Sequence, residues 1–287
     1  MTGVEKLLLC TDLDRTLLPN GRQPESPDAR VQFHRLVARP EVKLAYVTGR
    51  HRALVEEAIA EYALPAPDFV IGDVGTTIYE LSQGDWNPRA DWRREIAGDW
   101  AGYDHAQLAA LFADFDALVQ QEPEKQNEFK LSYYLALDVD HEKLMAGMQD
   151  LLQTRSIRAS LVWSIDEQKD IGLLDVLPAC ATKVHAVDFL RRQLGYDLAQ
   201  TVFAGDSGND MQVLVSAVPA VLVANASDAV RDAAVQAAQA GGNRGALYLA
   251  RGGYLGMNGN YSAGIIEGVA HYLPEITAWL NGEDAHE

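Results

Sequence analysis

The chain has 287 residues, enough for one large domain or two modest ones, with 48% hydrophobic and 23% charged residues, an ordinary globular balance. Its 24 basic and 41 acidic residues leave a formal net charge of −17, which argues against nucleic acid and against an anionic membrane surface as partners. No apolar run is long enough to span a bilayer, and no basic segment leads into an apolar one as in a secretory signal. In chain order, the first predicted strand covers residues 6–11, the run KLLLCT, which leads straight into Asp12. Pro19-Asn20-Gly21 marks a turn, and residues 26–38 read as a helix with Pro27 in its first turn. Val42–Val47 is the second strand, a helix spans residues 53–64, and residues 68–75 hold the third strand.

The same alternation resumes at residue 183. A helix is predicted over 183–194, a strand over 201–206, a helix over 210–215 and a strand within 219–227. Ser227 then caps an Ala-rich helix, Asp228–Ala240. A strand over 246–250, a glycine-rich loop over 252–259 and a helix over 263–273 complete the series, and residues 281–287 read as a frayed tail. Strand–helix alternation with nearly continuous apolar strands predicts an α/β fold, a Rossmann-like parallel sheet covered on both faces. The middle differs. Trp86, Trp92 and Trp100 fall in a charged stretch, and partly alternating strands within 131–140 and 157–166 flank a helix near 142–153. This predicts an α+β cap domain inserted over residues 82–172, with residues 1–81 and 173–287 forming the core. Cys10 and Cys180 sit in apolar settings, so they read as buried thiols of a cytoplasmic protein rather than a disulfide framework.

Ligands of parallel sheets bind beyond the carboxyl ends of the strands. That puts Asp12 at the binding edge and Asp14 just past it. One such carboxylate can act as a nucleophile and a second as proton donor and acceptor, although an Asp-rich turn that merely closes a strand has the same look. In GDSGND, Asp206, Ser207, Asn209 and Asp210 follow another apolar strand, either as a capped helix start or as two more acids at the same edge. Carboxylates so clustered raise one another's pKa, and a hard divalent cation such as Mg²⁺ with oxygen ligands relieves the conflict. The same cation would admit a small phosphorylated substrate despite the negative net charge. Thr48 and Gly49 lie where a strand meets a helix N-terminus, a common junction and also a ready anion site. Lys183 opposes the dipole of its own helix, so it is either solvated or drawn there by a phosphate or by the carboxylates.

Taken together and in this order, these residues resemble the haloacid dehalogenase superfamily of phosphohydrolases. Its D-x-D-x-T motif corresponds to Asp12, Asp14 and Thr16, its second motif to Thr48-Gly49-Arg50, its lysine to Lys183, and its G-D-x-x-x-D motif to Gly205, Asp206 and Asp210. Arg15 stands where members often carry Gly or Asn. GDSGND together with VANA (residues 223–226) resembles the branch with a large inserted α/β cap. DVLPACATKVHAVDFL, NEFKLSYYL and SAGIIEGVAHYL are most similar to sucrose-6-phosphate phosphatases.

The resemblance implies a Mg²⁺-dependent phosphatase that hydrolyses a sugar phosphate, sucrose 6-phosphate first, through an aspartyl-phosphate. In that reading Asp12 is the nucleophile and Asp14 the acid and base. Mg²⁺ is held by Asp12, Asp206 and Asp14 through its backbone carbonyl, with Asp210 completing the site. Thr48, Gly49, Lys183 and Asn209 hold phosphate, and Asn209 and Asp210 orient Lys183. Lys130, with Gln126 and Glu128, would contact the sugar, although a solvated turn explains them equally. The tryptophans read as packing. Alternatives are a phosphatase for mannosylfructose phosphate or glucosylglycerol phosphate, a phosphomutase of the same fold, and a non-catalytic module that binds sugar phosphate. The expected partner is a small sugar phosphate, with no nucleic acid and no membrane, and a monomer is the working expectation.

Overall fold

Leu7, Leu8, Leu9 and Cys10 are fully shielded from solvent, as a strand buried on both faces requires. The computed structural model describes residues 6–166 and 169–280; the predicted tail over 281–287 lies outside them. In chain order the strands are β1 (Leu7–Thr11), β2 (Val42–Val47), β3 (Phe69–Gly72), β4 (Thr77–Ser82), β5 (Asp85–Pro88), β6 (Val119–Gln120), β7 (Leu131–Leu135), β8 (Ala159–Asp166), β9 (Ile171–Pro178), β10 (Thr201–Gly205), β11 (Ala220–Leu222) and β12 (Leu247–Leu249). The chain divides into two compact units, Met1–Pro88 with Lys183–Glu287, and Arg89–Thr182.

The first unit holds a sheet in the order β12-β11-β10-β1-β2-β3-β4-β5. From β12 to β3 all neighbours are parallel; β4 and β5 extend it as an antiparallel hairpin. The sequence reversal from β1–β3 to β10–β12 makes β1 and β10 the switch point of the sheet, where open α/β folds bind their ligands. Leu7, Leu9, Leu44 and Tyr46 pack in one cluster with Phe33 and Leu36 of the helix Ala29–Val37 and with Ile265, Ile266 and Val269 of the helix Ser262–Tyr272. That last helix is buried from Ser262 to Ala270. Gly264 and Gly268 allow its approach: a Cβ on Gly268 would lie 2.1 Å from Val221 Cγ2, and one on Gly264 2.2 Å from the Gly259 carbonyl oxygen.

The second unit is built on an antiparallel sheet in the order β6-β7-β9-β8, with helices Ala90–Ala97, His105–Leu111 and His141–Thr154. Trp92 and Trp100 are fully buried in it, with Trp100 set edge-on to Phe129 at 5.5 Å between ring centroids. The division falls later than the predicted 82–172 at both ends. β5 pairs with β4 and β4 with β3, which keeps residues 82–88 with the first sheet. β9 pairs with β7 as far as Val176 and with β8 as far as Pro178, which keeps residues 173–178 with the second. Trp86 therefore belongs to the first unit, edge-on to Tyr79, with the Arg52 guanidinium over its ring.

Candidate active site

Thr11 pairs with Ala204, so β1 and β10 end side by side, and the Asp12 N–H donates to the Ala204 carbonyl at 2.9 Å. Side chains on the two following loops therefore meet. Asp12, Asp206 and Asp210 are all buried and each offers a carboxylate oxygen within 4.8 Å of the others. Asp210 folds back over its own turn: its Oδ2 accepts from the backbone N–H groups of Asp206 at 3.2 Å and Ser207 at 3.4 Å. Gly205 makes the room, since a Cβ there would stand 2.6 Å from Asp210 Oδ2. Lys183, at the start of the helix Lys183–Gln193, sends Nζ to Asp12 Oδ1 at 2.9 Å and to Asp210 Oδ1 at 2.7 Å. Thr16 Oγ1 lies 3.4 Å from Asp12 Oδ2 and 3.5 Å from Asp206 Oδ1.

Asp14 turns elsewhere. Arg50 holds it with a two-pronged pair, Nε to Oδ2 at 2.8 Å and Nη2 to Oδ1 at 2.7 Å, and Asn20 Nδ2 donates to Oδ1 at 2.8 Å. Arg15 leans the other way, with Nε at 2.9 Å and Nη2 at 2.8 Å from Asp206 Oδ2. Thr48 is buried at the end of β2, and its hydroxyl accepts from the Arg50 N–H at 3.2 Å.

The electrostatics follow from burial and pairing. Burial, then the charges of Asp210 and Asp206, push the Asp12 carboxyl up to about 7 against the pull of Lys183. Burial likewise raises Asp206, in opposition to Arg15. Burial alone would lower Lys183, but Asp12 and Asp210 hold it above the ordinary lysine range. Burial would raise Asp14 as well; the Arg50 hydrogen bonds outweigh it and hold Asp14 below the usual carboxylate range. Three buried carboxylates thus face one buried ammonium and one half-exposed guanidinium, and two of the three, Asp12 and Asp206, resist ionising. An all-oxygen donor set with surplus negative charge fits a hard divalent cation.

Of the residues predicted from sequence, Asp12, Lys183, Asp206 and Asp210 come together in a single buried cluster. The Asp14 side chain lies outside that cluster, on Arg50. Asn209 is exposed on the 3-10 turn Gly208–Asp210; the Lys183 ammonium is oriented by Asp12 and Asp210 instead. Gly49 is exposed beside buried Thr48.

In the second unit, the Gln126 amide is spent on structure. Its Oε1 accepts from the Ser132 N–H at 2.8 Å, and its Nε2 donates to the carbonyls of Gln121 at 3.0 Å and Ser132 at 2.9 Å. Glu128 pairs with Arg93 Nε at 2.7 Å. Lys130 Nζ donates to the Lys125 carbonyl at 3.2 Å and lies 3.8 Å from Asp175 Oδ1, with its side chain 11% exposed. The sequence reading did not assign Arg50 to Asp14 or Arg15 to Asp206. The available signal was a cation two residues after Thr48 and another directly after Asp14.

A mainly parallel core sheet with the Asp12–Lys183–Asp206–Asp210 cluster at its edge, interrupted by an α+β insertion, defines a HAD-like hydrolase with a cap domain. Residues 5–273 match the sucrose-6F-phosphate phosphohydrolase family, and the chain belongs to that family. Among its relatives, a Nitrosococcus oceani protein known by the class name HAD-like hydrolase is 54% identical over 276 residues, 96% of this chain and 74% of that one. A mannosylfructose-phosphate phosphatase of Agrobacterium fabrum is 29% identical over 223 residues, 76% of this chain and 83% of that one. The solved sucrose-phosphatase of Synechocystis sp. PCC6803, in complex with sucrose and phosphate, is similar at a TM-score of 0.70 with 25% identity, over 93% of this chain and 98% of that one.

Proposed function

We propose that the protein is a Mg²⁺-dependent phosphatase that releases phosphate from a sugar phosphate, with sucrose 6-phosphate as the leading substrate. The observation that carries this reading is the Asp12 carboxylate at the sheet's switch point, held by Lys183 at 2.9 Å and buried beside Asp206 and Asp210. An Asp12 oxygen attacks phosphorus, the bond from phosphorus to the sugar oxygen breaks, and its electron pair leaves on that oxygen, which takes a proton from Asp14. Water then attacks the aspartyl-phosphate and gives its proton to Asp14, which restores the Asp12 carboxylate and frees inorganic phosphate. Mg²⁺ held by Asp12 and Asp206, with Asp210 behind them and the Asp14 carbonyl as a further ligand, would offset repulsion between carboxylate and phosphate. Lys183, Thr48 and Gly49 hold phosphate oxygens, and the second unit selects the sugar, with Lys130 as its leading contact.

In the geometry described above, Asp14 is held ionised by Arg50, which suits the proton-accepting half of the cycle. Proton donation calls for Asp14 to leave that pair. A screen of sugar and disaccharide phosphates for Mg²⁺-dependent phosphate release tests the reading. Turnover of sucrose 6-phosphate well above its isomers, abolished in Asp12→Asn, supports it; phosphate release undiminished in that variant sinks it. The likeness to the Agrobacterium enzyme favours mannosylfructose phosphate as the second substrate to try.

A further inference from the structure

Arg15 is the one charged residue of the D-x-D-x-T stretch that the proposed reaction leaves without a task. Its backbone sits at φ 57°, a conformation that Gly and Asn adopt readily and other residues seldom do. The strain is held from three sides. The Arg15 N–H donates to Asn20 Oδ1 at 2.8 Å, its carbonyl accepts from Asn225 Nδ2 at 2.6 Å, and its guanidinium places Nε and Nη2 on the same oxygen of Asp206. The Asp206 side chain is 2% exposed and that of Arg15 52%, so the cation reaches in from solvent onto a buried acid. The other oxygen of Asp206 lies toward Thr16, within the carboxylate cluster.

We propose that Arg15 is a resident counter-cation of the carboxylate cluster, which engages Asp206 and weakens the site's hold on a divalent cation. The inference rests on the metal-dependent reading above. Two N–H groups occupy one Asp206 oxygen, so a metal must either share that carboxylate through its other oxygen or displace the guanidinium. In both cases a positive charge a few ångströms away opposes the incoming ion. Because Arg15 is half-exposed, water screens this repulsion and the effect is moderate. Neutral Asn or Gly at this position removes the opposition and also suits the left-handed backbone. The consequence is a site whose acids carry a built-in compensating charge and that gives up cation affinity for it.

Isothermal titration calorimetry with MgCl₂, without substrate, tests this on the wild type, Arg15→Asn, Arg15→Gly and Arg15→Lys. Arg15→Asn and Arg15→Gly should bind Mg²⁺ about five- to twentyfold more tightly, whereas Arg15→Lys, which keeps the charge, stays within about twofold of the wild type. Unchanged or weaker binding in both neutral variants, with the wild type binding normally, would overturn the inference alone. No Mg²⁺ binding by the wild type, with Asp206→Asn indistinguishable from it, would overturn the metal reading and this inference together.

Discussion

Lys183 bridges Asp12 and Asp210 with a single buried ammonium, 2.9 Å from one carboxylate and 2.7 Å from the other, with side-chain exposures of 6%, 8% and 0%. Removing one partner of such a group leaves uncompensated buried charge, which costs about 3–5 kcal/mol. Lys183→Met should therefore lose stability of that order in urea unfolding without metal. Added Mg²⁺ should restore part of it. A loss under about 0.5 kcal/mol, typical of a surface change, would contradict the arrangement.

Asp12 gives the metal-free protein an unusual pH response. Its carboxyl stands near 7 in the folded state against an ordinary 3.8. Between those values the folded chain keeps a proton that the unfolded chain has released, so the Asp12 contribution to stability falls as pH rises from about 4 to about 7. Melting temperature in EDTA should decline across this window more steeply in the wild type than in Asp12→Asn. Mg²⁺ binds the ionised form, so its stabilising effect should grow over the same window.

The pair between Arg50 and Asp14 predicts a shift in the kinetics. Arg50 holds Asp14 below the usual carboxylate range, so Arg50→Met should move the Asp14 ionisation upward in the pH profile of kcat/KM. The same ionisation should vanish in Asp14→Asn. A profile with the same inflections in Arg50→Met and the wild type would show that Asp14 does not carry them.

Gly205 is a steric requirement of the site. A methyl group there would displace the Asp210 carboxylate, whose carbon lies 2.7 Å from the added Cβ. Gly205→Ala should fold, lose about 1–3 kcal/mol by overpacking, and lose activity at least tenfold, because Asp210 positions Lys183. Thermal unfolding and phosphate release measured on one preparation would separate the two effects.

Gln126→Leu tests a reassignment. Its amide knits Gln121 to Ser132 beside β7, so the substitution should cost about 1–3 kcal/mol in stability while KM for the sugar phosphate stays within about twofold. A large rise in KM without loss of stability would return Gln126 to the sugar-binding set.

The core was readable because its strands are buried on both faces. LLLCT before Asp12 and TVFAG before Asp206 are fully buried and apolar but for one threonine each, and each acid marks the strand end. The α/β class and the placing of Asp12, Asp206 and Asp210 at one edge of the sheet followed from that pattern, whereas Lys183 joined them only through the family resemblance. β9 did not. It is central to the second sheet, yet Ile171 and Leu173 are apolar residues on its less buried face, so the alternation that signals a strand is blurred. The hairpin β4–β5 escaped because Asp85–Pro88 is mostly exposed, with Trp86 its one half-buried residue. The partners of Asp14 and Asp206 were hidden for another reason. A guanidinium has several carboxylates within reach of its long side chain, and only the folded backbone decides which one it takes.

Asn225 ties the Arg15 carbonyl to the Tyr261 N–H, and Lys183 reaches Asp12 across 171 positions of sequence. A ribosome delivers Asp12 171 residues before Lys183, and the asparagine and tyrosine that steady its surroundings come later still. The nascent chain must carry Asp12 without these partners until they emerge. Contacts this distant along the chain form late in folding and slow it. Substitutions at Asn225 and Tyr261 should therefore speed unfolding and leave the refolding rate little changed, which stopped-flow folding and unfolding in urea would show.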